Sequence, residues 1–201
     1  MIMLIEISEN RTPGSCVTEM HGLVNKVLVL LLFLALTSSM LGTQVRAQTP
    51  DEYQVKAAFL YNFVKFVEWP VEAFGDNRAP VVIGVVGDDP FGSKIDQLIK
   101  GKIANGRPLV LKRFPNFKAL TFCHILFICS SEKNNLRQAL AAAGAGVLTV
   151  GETERFTQMG GIINFTIVDS KVRFEINQVA ADRAGLKISA KLLNLSRPAR
   201  N

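Results

Sequence analysis

Few residues between positions 48 and 201 belong to the types that most often carry chemistry. His124 is the one histidine in this range, and it follows Cys123 directly. If this segment is a strand, adjacent side chains point to opposite faces, so a Cys–His nucleophile–base pair is not predicted. One histidine and two separated cysteines also lack the ligand spacing of a metal site. The sequence therefore predicts a protein that is not an enzyme and holds no metal or cofactor.

The two cysteines in this range are predicted to act as small buried apolar residues. Cys123 and Cys129 are six positions apart, which is about 20 Å along a strand at about 3.3 Å per residue. A disulfide needs Cα atoms within about 7 Å, so these two are not expected to pair while the strand is intact. A redox-active or crosslinking thiol stays open as the alternative, with Cys123 as the candidate.

The loop that starts at Gly87 is the nearest approach to a nucleotide site. Its letters, GDDPFGSK, place Ser before Lys, whereas a phosphate-binding Walker loop needs Lys before Ser or Thr. Asp88 and Asp89 would also repel a polyphosphate. The favoured interpretation is a turn in which one of these aspartates caps the next helix. A magnesium or calcium site is a weak alternative.

The segment 160–177 carries the most regular pattern in the chain. Two alternating strands are joined by Asp169 and Ser170, which predicts a hairpin with a two-residue turn. With that turn, Asn164 faces Glu175 on a polar face, and the opposite face is apolar. From the residues alone, an ordinary solvated face with an ion pair is the favoured interpretation. A polar recognition surface is the alternative.

Strands and helices alternate along most of the segment 48–201. Helices are predicted at 52–69, 91–99, 131–145 and 178–184, and strands at 81–86, 107–114, 124–128, 146–150, 162–168 and 171–177. The last segment, 186–197, fits either a strand or a helix. Alternation of this kind implies crossover connections. We therefore expect a single small α/β domain, with a mostly parallel sheet, flanking helices and a C-terminal antiparallel hairpin.

The first predicted helix is apolar over more than one stripe. Its polar positions are few, and aromatic and aliphatic residues cover most of the remaining surface. Such a helix is buried on two sides, either within the domain or against another chain. Burial within the domain is the favoured alternative.

A secretory signal peptide is predicted before the domain. The apolar run 27–36 follows Lys26 and precedes a cleavage site with small residues, Val45 and Ala47, at the −3 and −1 positions. The run is shorter than the about 20 residues of a membrane-spanning helix, although an uncleaved anchor stays the alternative.

The chain is accordingly divided at the cleavage site. Residues 1–47 are assigned to the signal peptide, with Met20 as an alternative start, and residues 48–201 to the single domain. The formal net charge is +6, with both signs interspersed. Without a basic cluster, this charge does not predict nucleic-acid binding.

Taken in order, the segments of the domain resemble the YfiR family of periplasmic regulators. Each segment is weak evidence by itself, but the ordered set is specific and runs from about Tyr53 to Arg197. The segments are YQVKAAFLYNFVKFVEWP, VIGVVGDDPFG, CHILFI, VLTVGE, GGIINF, VRFEIN and AGLKISAKLLNLSR.

The resemblance implies a periplasmic protein that works by binding. It would restrain a YfiN-type inner-membrane diguanylate cyclase by holding its periplasmic domain in an inactive state, which lowers cyclic di-GMP and biofilm formation. It also implies self-association as a homodimer and sequestration by an OmpA-like outer-membrane lipoprotein. The alternative is a sensor that binds a small solute and acts on another membrane receptor, such as a histidine kinase.

The chain departs from this family at its cysteines. Other members carry cysteines in the first strand and near the hairpin that can form bridges, and both places lack cysteine here. Redox control through such bridges is therefore in doubt. Cys123 matches the family's Cys-His position.

The polar face of the hairpin is the candidate site. We expect Asn164, Arg173 and Glu175, together with the neighbouring Lys191, to contribute to a binding site for a partner protein or a small ligand.

Overall fold

The computed structural model describes residues 52–76 and 78–198 of the chain. The expected signal peptide, with its alternative start at Met20, lies outside these residues. The fold below is that of the unit Gln48–Asn201.

Helices and strands alternate through most of the described residues. The helices are α1 (Glu52–Phe66), α2 (Ser93–Ile99), α3 (Leu136–Ala143), α4 (Gln178–Arg183) and α5 (Ala190–Leu195), with short 3-10 helices at Val71–Ala73, Phe117–Ala119 and Ser130–Asn135. The strands are β1 (Val67–Glu68), β2 (Val81–Val86), β3 (Ile103–Ala104), β4 (Arg107–Phe114), β5 (Ile125–Ile128), β6 (Leu148–Gly151), β7 (Ile163–Val168), β8 (Lys171–Ile176), β9 (Lys187–Ile188) and β10 (Arg197–Pro198).

One mostly parallel sheet organises the domain. Its strand order is β10-β8-β7-β6-β5-β2-β4-β3. The central strands β4, β2, β5, β6 and β7 run parallel to one another. The pair β7–β8 is antiparallel, and so is β3–β4 at the far edge. The predicted fold class, with its parallel sheet and C-terminal hairpin, is confirmed.

The central strands are apolar along their whole length because both faces of the sheet are covered. Every residue of β2 and of β5 is buried. Helix α3 covers one face, where Leu136 and Ala139 join Leu126 and Ile128 in one core cluster. Helix α1 covers the other face. Burial on both sides is the usual state of a parallel sheet, and it explains why these strands do not alternate.

Helix α1 is buried within the domain by an aromatic cluster. The Phe63 ring stacks on Phe165 of β7 with centroids 5.9 Å apart, and Phe59 meets Phe174 of β8 edge-on at 5.3 Å. Contacts of this kind contribute about 0.5–1.5 kcal/mol each beyond the area they bury. The apolar side of the hairpin is therefore its core side, as the alternation predicts.

Several boundaries differ from the sequence prediction. The predicted helix 131–145 is a 3-10 helix, Ser130–Asn135, followed by the shorter α3, Leu136–Ala143. Helix α1 ends at Phe66 rather than Trp69, because Val67 and Glu68 form a strand that pairs with β9. The undecided segment 186–197 is neither one strand nor one helix. It contains β9, then α5, and then the start of β10. The differences at the end of α1 and in 186–197 come from strand partners distant in the sequence, which local pattern does not reveal.

None of the helices in residues 52–76 and 78–198 is both long and apolar enough to cross a membrane.

Candidate binding site

The hairpin β7–β8 has the predicted turn and register. Asp169 and Ser170 adopt the left-handed φ values of 50° and 57°, as a two-residue turn of the type that matches strand twist requires. Asn164 is paired with Glu175. The polar face of the hairpin therefore has the composition that the sequence predicted.

This polar face is only partly solvated. Arg173 is exposed, but Asn164 is 4% exposed and Glu175 is 9% exposed. The favoured expectation of an ordinary solvated face is therefore wrong for these two residues. They are covered by the loop between β6 and β7, whose position depends on tertiary contacts.

The loop brings Thr157 onto the buried carboxylate. The Thr157 hydroxyl donates a hydrogen bond of 2.8 Å to Glu175 Oε1, and Asn164 Nδ2 donates one of 3.4 Å to the same oxygen. The side chain of Asn177 donates to the Thr157 carbonyl at 2.8 Å and fixes the loop to the end of β8. Both side-chain hydrogen bonds of Glu175 go to Oε1, so Oε2 is left for another donor.

Phe156 anchors the loop between two glycines. The ring is fully buried and lies so close to Gly151 and Gly161 that a Cβ atom at either position would overlap it. The Gly161 amide donates to the Phe156 carbonyl at 3.0 Å. Glycine is required at these positions because the ring occupies the space of a side chain, and the packed ring in turn sets the position of Thr157.

One acceptor in this cluster has no hydrogen-bond partner. Asn164 Oδ1 is buried and accepts no hydrogen bond. If the Asn164 amide were turned around, its Oδ1 would face Glu175 Oε1 and the two oxygens would repel each other. The hydrogen bond from Nδ2 therefore identifies Oδ1 as the atom without a partner. A buried polar atom without a partner costs about 1–3 kcal/mol. Such an atom is uncommon in a native fold and calls for an explanation.

Asn164 and Glu175 line a cavity of about 650 Å³. A cavity of this volume lies within the range that small molecules occupy. Eight of its ten lining residues are polar or charged, and two of these are arginines. The lining residues are Glu154, Arg155, Thr157, Gln158, Asn164, Thr166, Ile167, Val168, Glu175 and Arg197.

The structure separates the four expected site residues. Asn164 and Glu175 lie together in the cavity. Arg173 is an exposed residue of the same hairpin face and is not part of the cavity lining. Lys191 lies on α5 with its Nζ 5.4 Å from the ring centroid of Phe66, outside the cavity lining.

A second buried polar cluster lies beside this cavity. Lys56 of α1 is 3% exposed and pairs with Glu152 at 2.7 Å and with Glu52 one helical turn away. Burial would lower the pKa of Lys56, but the hydrogen bonds to the two carboxylates outweigh it, so the pKa is raised. Burial, with Glu152 nearby, raises the pKa of Tyr53. These residues border a smaller cavity of about 480 Å³ that also touches Asn164.

Sequence reasoning missed both the loop and this second cluster. Thr157 and Glu152 stand in a segment without periodicity, so no pattern marks them. Lys56 did carry a signal, because a lysine stands there among apolar helix positions, four residues after Glu52. That spacing is typical of an ion pair on one helix face.

Cys123, the candidate redox residue, is a buried thiol. Burial raises its pKa to about 12, an effect that Lys112 only partly offsets. Cys129 is also buried and free, and the two side chains belong to different core clusters. Because the thiolate is the reactive form of cysteine, this environment favours a structural role for Cys123.

His124 is likewise buried and does not face a nucleophile. Its Nδ1 accepts a hydrogen bond of 3.0 Å from the Val82 amide, and its ring stacks on Phe74 with centroids 4.5 Å apart. Burial lowers the pKa of His124. Within the described ranges, no group of three or more His, Cys, Asp or Glu residues is arranged to hold a metal ion.

Comparison with known proteins gives a family match and a similar solved structure. A family model described as YfiR/HmsC-like matches residues 53–197, which span the fold from α1 to β10. A crystal structure of a conserved domain protein from Vibrio cholerae O1 biovar El Tor is also similar, at 13% identity and a TM-score of 0.47. The similarity covers 74% of this chain and 60% of that one. A likeness at this level supports no statement about function.

Proposed function

Because the chain belongs to the YfiR/HmsC-like family, we propose that it restrains an inner-membrane diguanylate cyclase by binding the cyclase's periplasmic domain. The family is one of periplasmic regulators of diguanylate cyclase systems. The observation that carries the proposal is the extent of the match, which includes every helix and nearly every strand of the domain.

Restraint by binding requires a difference in affinity. The protein would bind the inactive state of the cyclase more tightly than the active state, and the ratio of the two affinities sets how far the equilibrium shifts. The exposed side of the hairpin suits such contact. Arg173 is exposed on a strand whose other face is packed on α1, so its position is fixed by the core.

The expected partners follow from the family. An OmpA-like outer-membrane lipoprotein would compete for the protein, and a homodimer would be its resting state. Self-association and lipoprotein binding are separable from cyclase restraint, because each can be measured with purified proteins.

The first test is cellular cyclic di-GMP with the gene deleted and then restored. We expect the level to rise on deletion and to fall again with the secreted form, but not with a form that lacks residues 1–47. No change on deletion would refute the cyclase assignment.

A second test concerns the surface. Arg173→Glu should leave cyclic di-GMP high on restoration, because it reverses an exposed charge without touching the core. Arg137→Glu is the matched control, since it makes the same charge change at an exposed position on α3. Both variants must reach wild-type periplasmic levels by immunoblot. Equal restraint by the two variants would remove Arg173 from the contact surface.

The structure changes how Glu175 must be tested. Reversing the charge at Arg173 and Glu175 together does not probe one surface, because Glu175 is buried under Thr157. An arginine at position 175 would disturb the loop as well as any partner contact. The two residues therefore need separate substitutions.

A second candidate function is supported by the cavity at Glu175. A sensor that binds a small solute and acts on another membrane receptor, such as a histidine kinase, would use a cavity of about 650 Å³. This function and the first are compatible if the solute sets the state of the regulator.

A further inference from the structure

We propose that His124 is a pH sensor, and that protonation of its ring releases the segment 69–76 from the sheet while the rest of the domain stays folded. This segment, called the Phe74 segment below, contains Trp69, the 3-10 helix Val71–Ala73 and Phe74. The inference concerns the protein by itself and does not depend on the proposed function.

One ring nitrogen of His124 is committed to the backbone of β2. The residue is 2% exposed, and its Nδ1 accepts a hydrogen bond of 3.0 Å from the Val82 amide. The His124 amide donates in return to the Val82 carbonyl at 2.8 Å. An imidazole nitrogen accepts a hydrogen bond only when it carries no proton. The contact therefore requires the neutral ring with its proton on Nε2, and a proton added to Nδ1 would face the Val82 N–H.

The other ring nitrogen offers the charged form little compensation. Nε2 is buried and has no hydrogen-bond partner among the residues that the structure describes. Burial is the largest influence on the pKa of His124 and lowers it, while the nearby Ala73 carbonyl raises it by less and Arg107 lowers it further. Protonation inside the closed structure therefore costs a buried hydrogen bond, and opening of the structure around the ring relieves that cost.

His124 also holds the Phe74 segment in place. The Phe74 ring stacks on the imidazole with centroids 4.5 Å apart, and the indole N–H of Trp69 donates to the His124 carbonyl at 3.2 Å. Arg107 makes the third attachment. Its guanidinium lies 3.8 Å from the Phe74 ring centroid and donates to the Asp76 carbonyl at 2.8 Å. Two of these three attachments depend on where His124 and its ring lie.

The Phe74 segment is otherwise weakly held. Its 3-10 helix has no buried residue, and Val71 is 80% exposed. Trp69 and Phe74 are only partly buried where they pack against the core. A segment with few buried apolar contacts opens locally at a small cost in free energy. We therefore expect a change at the His124 ring to open this segment before it unfolds the sheet.

The ring has no carboxylate partner that would stabilise its charge. None of the ion pairs found in residues 52–76 and 78–198 includes His124. Strands β2 and β6, which lie on either side of β5, carry no titratable side chain. The charged or titratable side chains on the other elements around the ring are Arg107, Glu72, Asp76, Arg78, Lys118 and Cys123.

The two acids among these groups do not compensate the ring. Glu72 and Asp76 are exposed, so water screens their charges. Burial raises the pKa of the Cys123 thiol to about 12, so this neighbour is neutral near neutral pH. The remaining groups are cationic and disfavour a second positive charge.

Linkage gives the direction of the pH response. The pKa of His124 in the folded protein lies below the ordinary value of 6.5 that applies when the ring is solvated. Below about pH 6.5 the opened state therefore binds more protons than the closed state, and the closed state loses stability as the pH falls. Above about pH 7.5 the ring is neutral in both states and has no such effect. Acidic surroundings should thus open the Phe74 segment.

The chain supplies its own reporters for the test. Between positions 48 and 201, His124 is the one histidine and Trp69 the one tryptophan. With the protein purified from the periplasm, proton NMR follows the His124 ring from about pH 8 to about pH 5, a range that brackets the ordinary pKa of histidine. Trp69 fluorescence, far-UV circular dichroism and hydrogen exchange of the Phe74 segment are followed over the same range. Exchange rates are corrected for the intrinsic effect of pH.

We expect the His124 ring to titrate with a midpoint below about pH 6.5. With the same midpoint, the Trp69 emission maximum should shift to longer wavelength as water reaches the indole, and exchange in the Phe74 segment should increase. The circular dichroism should stay constant, because the sheet and the helices remain folded.

His124→Asn removes the titration and keeps an acceptor for the Val82 amide, because the asparagine side-chain oxygen takes the place of Nδ1. The pH response of Trp69 and of hydrogen exchange should be lost. Glu72→Gln is the matched control, since it removes an exposed acid from the same segment and should keep the wild-type midpoint. The NMR titration of the wild-type protein decides the question even where His124→Asn does not fold.

Several results would overturn the inference. A ring that titrates at or above about pH 6.5, or that does not titrate down to about pH 5, is one. Another is a Trp69 emission maximum that stays constant through the His124 midpoint. Loss of circular dichroism at that midpoint would mean that the whole domain unfolds rather than the segment alone. A response that persists in folded His124→Asn, or disappears in Glu72→Gln, would belong to another group. None of these results involves a cyclase, so the cyclic di-GMP experiment decides the proposed function separately.

Discussion

Lys56 and Glu175 are both almost completely buried, yet of the two only Lys56 forms an ion pair within the described residues. Lys56 pairs with Glu152 and Glu52. Glu175 receives hydrogen bonds from the neutral side chains of Thr157 and Asn164, and its cross-strand neighbour Arg197 lines the same cavity. The difference separates two roles. The ion pair of Lys56 holds two buried charges within the fold, whereas the carboxylate of Glu175 faces a cavity.

The two clusters also differ in how they are built. Lys56 and Glu52 stand one turn apart on the same helix, and Glu152 follows a strand directly. The surroundings of Glu175 depend on a loop anchored by Phe156 between two glycines.

The largest expected effect concerns the compensated cluster. Lys56→Met keeps the apolar stem of the side chain but leaves Glu152, whose side chain is 6% exposed, as an unpaired buried charge. We expect the free energy of unfolding to fall by about 3–5 kcal/mol, measured by urea denaturation. The double variant Lys56→Met with Glu152→Gln should recover most of that loss. A single variant within about 1 kcal/mol of wild type would show that the pair is not structural.

A smaller loss of stability is expected when an added methyl group overpacks the space around Phe156, the residue that anchors the loop. Gly161→Ala places a methyl group where the Phe156 ring lies, and the resulting strain should lower the free energy of unfolding by about 1–3 kcal/mol. Gly75→Ala is the matched control, because an added Cβ there meets no atom within 4 Å. The control should be unchanged or more stable by up to about 1 kcal/mol. Equal behaviour of the two variants would mean that the ring moves freely and does not set the position of Thr157.

The smallest effect on stability is expected at Glu175. Glu175→Gln removes a carboxylate that forms no ion pair like that of Lys56, and the new amide can still accept from Thr157 while it donates to a neighbouring oxygen. We expect the free energy of unfolding to stay within about 1 kcal/mol of wild type, or to rise. The measurement is urea denaturation beside Lys56→Met. A loss as large as that of Lys56→Met would remove the distinction between the two clusters.

The fold was largely predictable from the sequence because its signals are local. The apolar strands, the helices between them and the two-residue turn at Asp169 each leave a pattern within a few residues. Hairpin register follows from the turn length, so the pairing of Asn164 with Glu175 could be counted outward from it. The ends of α1 and the division of 186–197 could not be predicted, since they depend on the pairing of β1 with β9.

The candidate site was predictable only in part. Asn164, Arg173 and Glu175 were placed correctly on one face of the hairpin, but the alternation of a strand does not tell what covers that face. Thr157 and Phe156 lie in a segment without pattern. Lys191 was expected beside the hairpin face and instead lies against Phe66.

The sequence by itself determined the class of the fold, the register of the hairpin and the family of the chain, because each depends on residue order over short or contiguous stretches. The tertiary structure decided which polar residues are buried and which of them are neutralised. Burial and charge compensation depend on groups distant in sequence: Thr157 covers Glu175 across 18 residues, and Glu152 reaches Lys56 across 96. No local pattern encodes such pairs, because their members are brought together only when the chain folds.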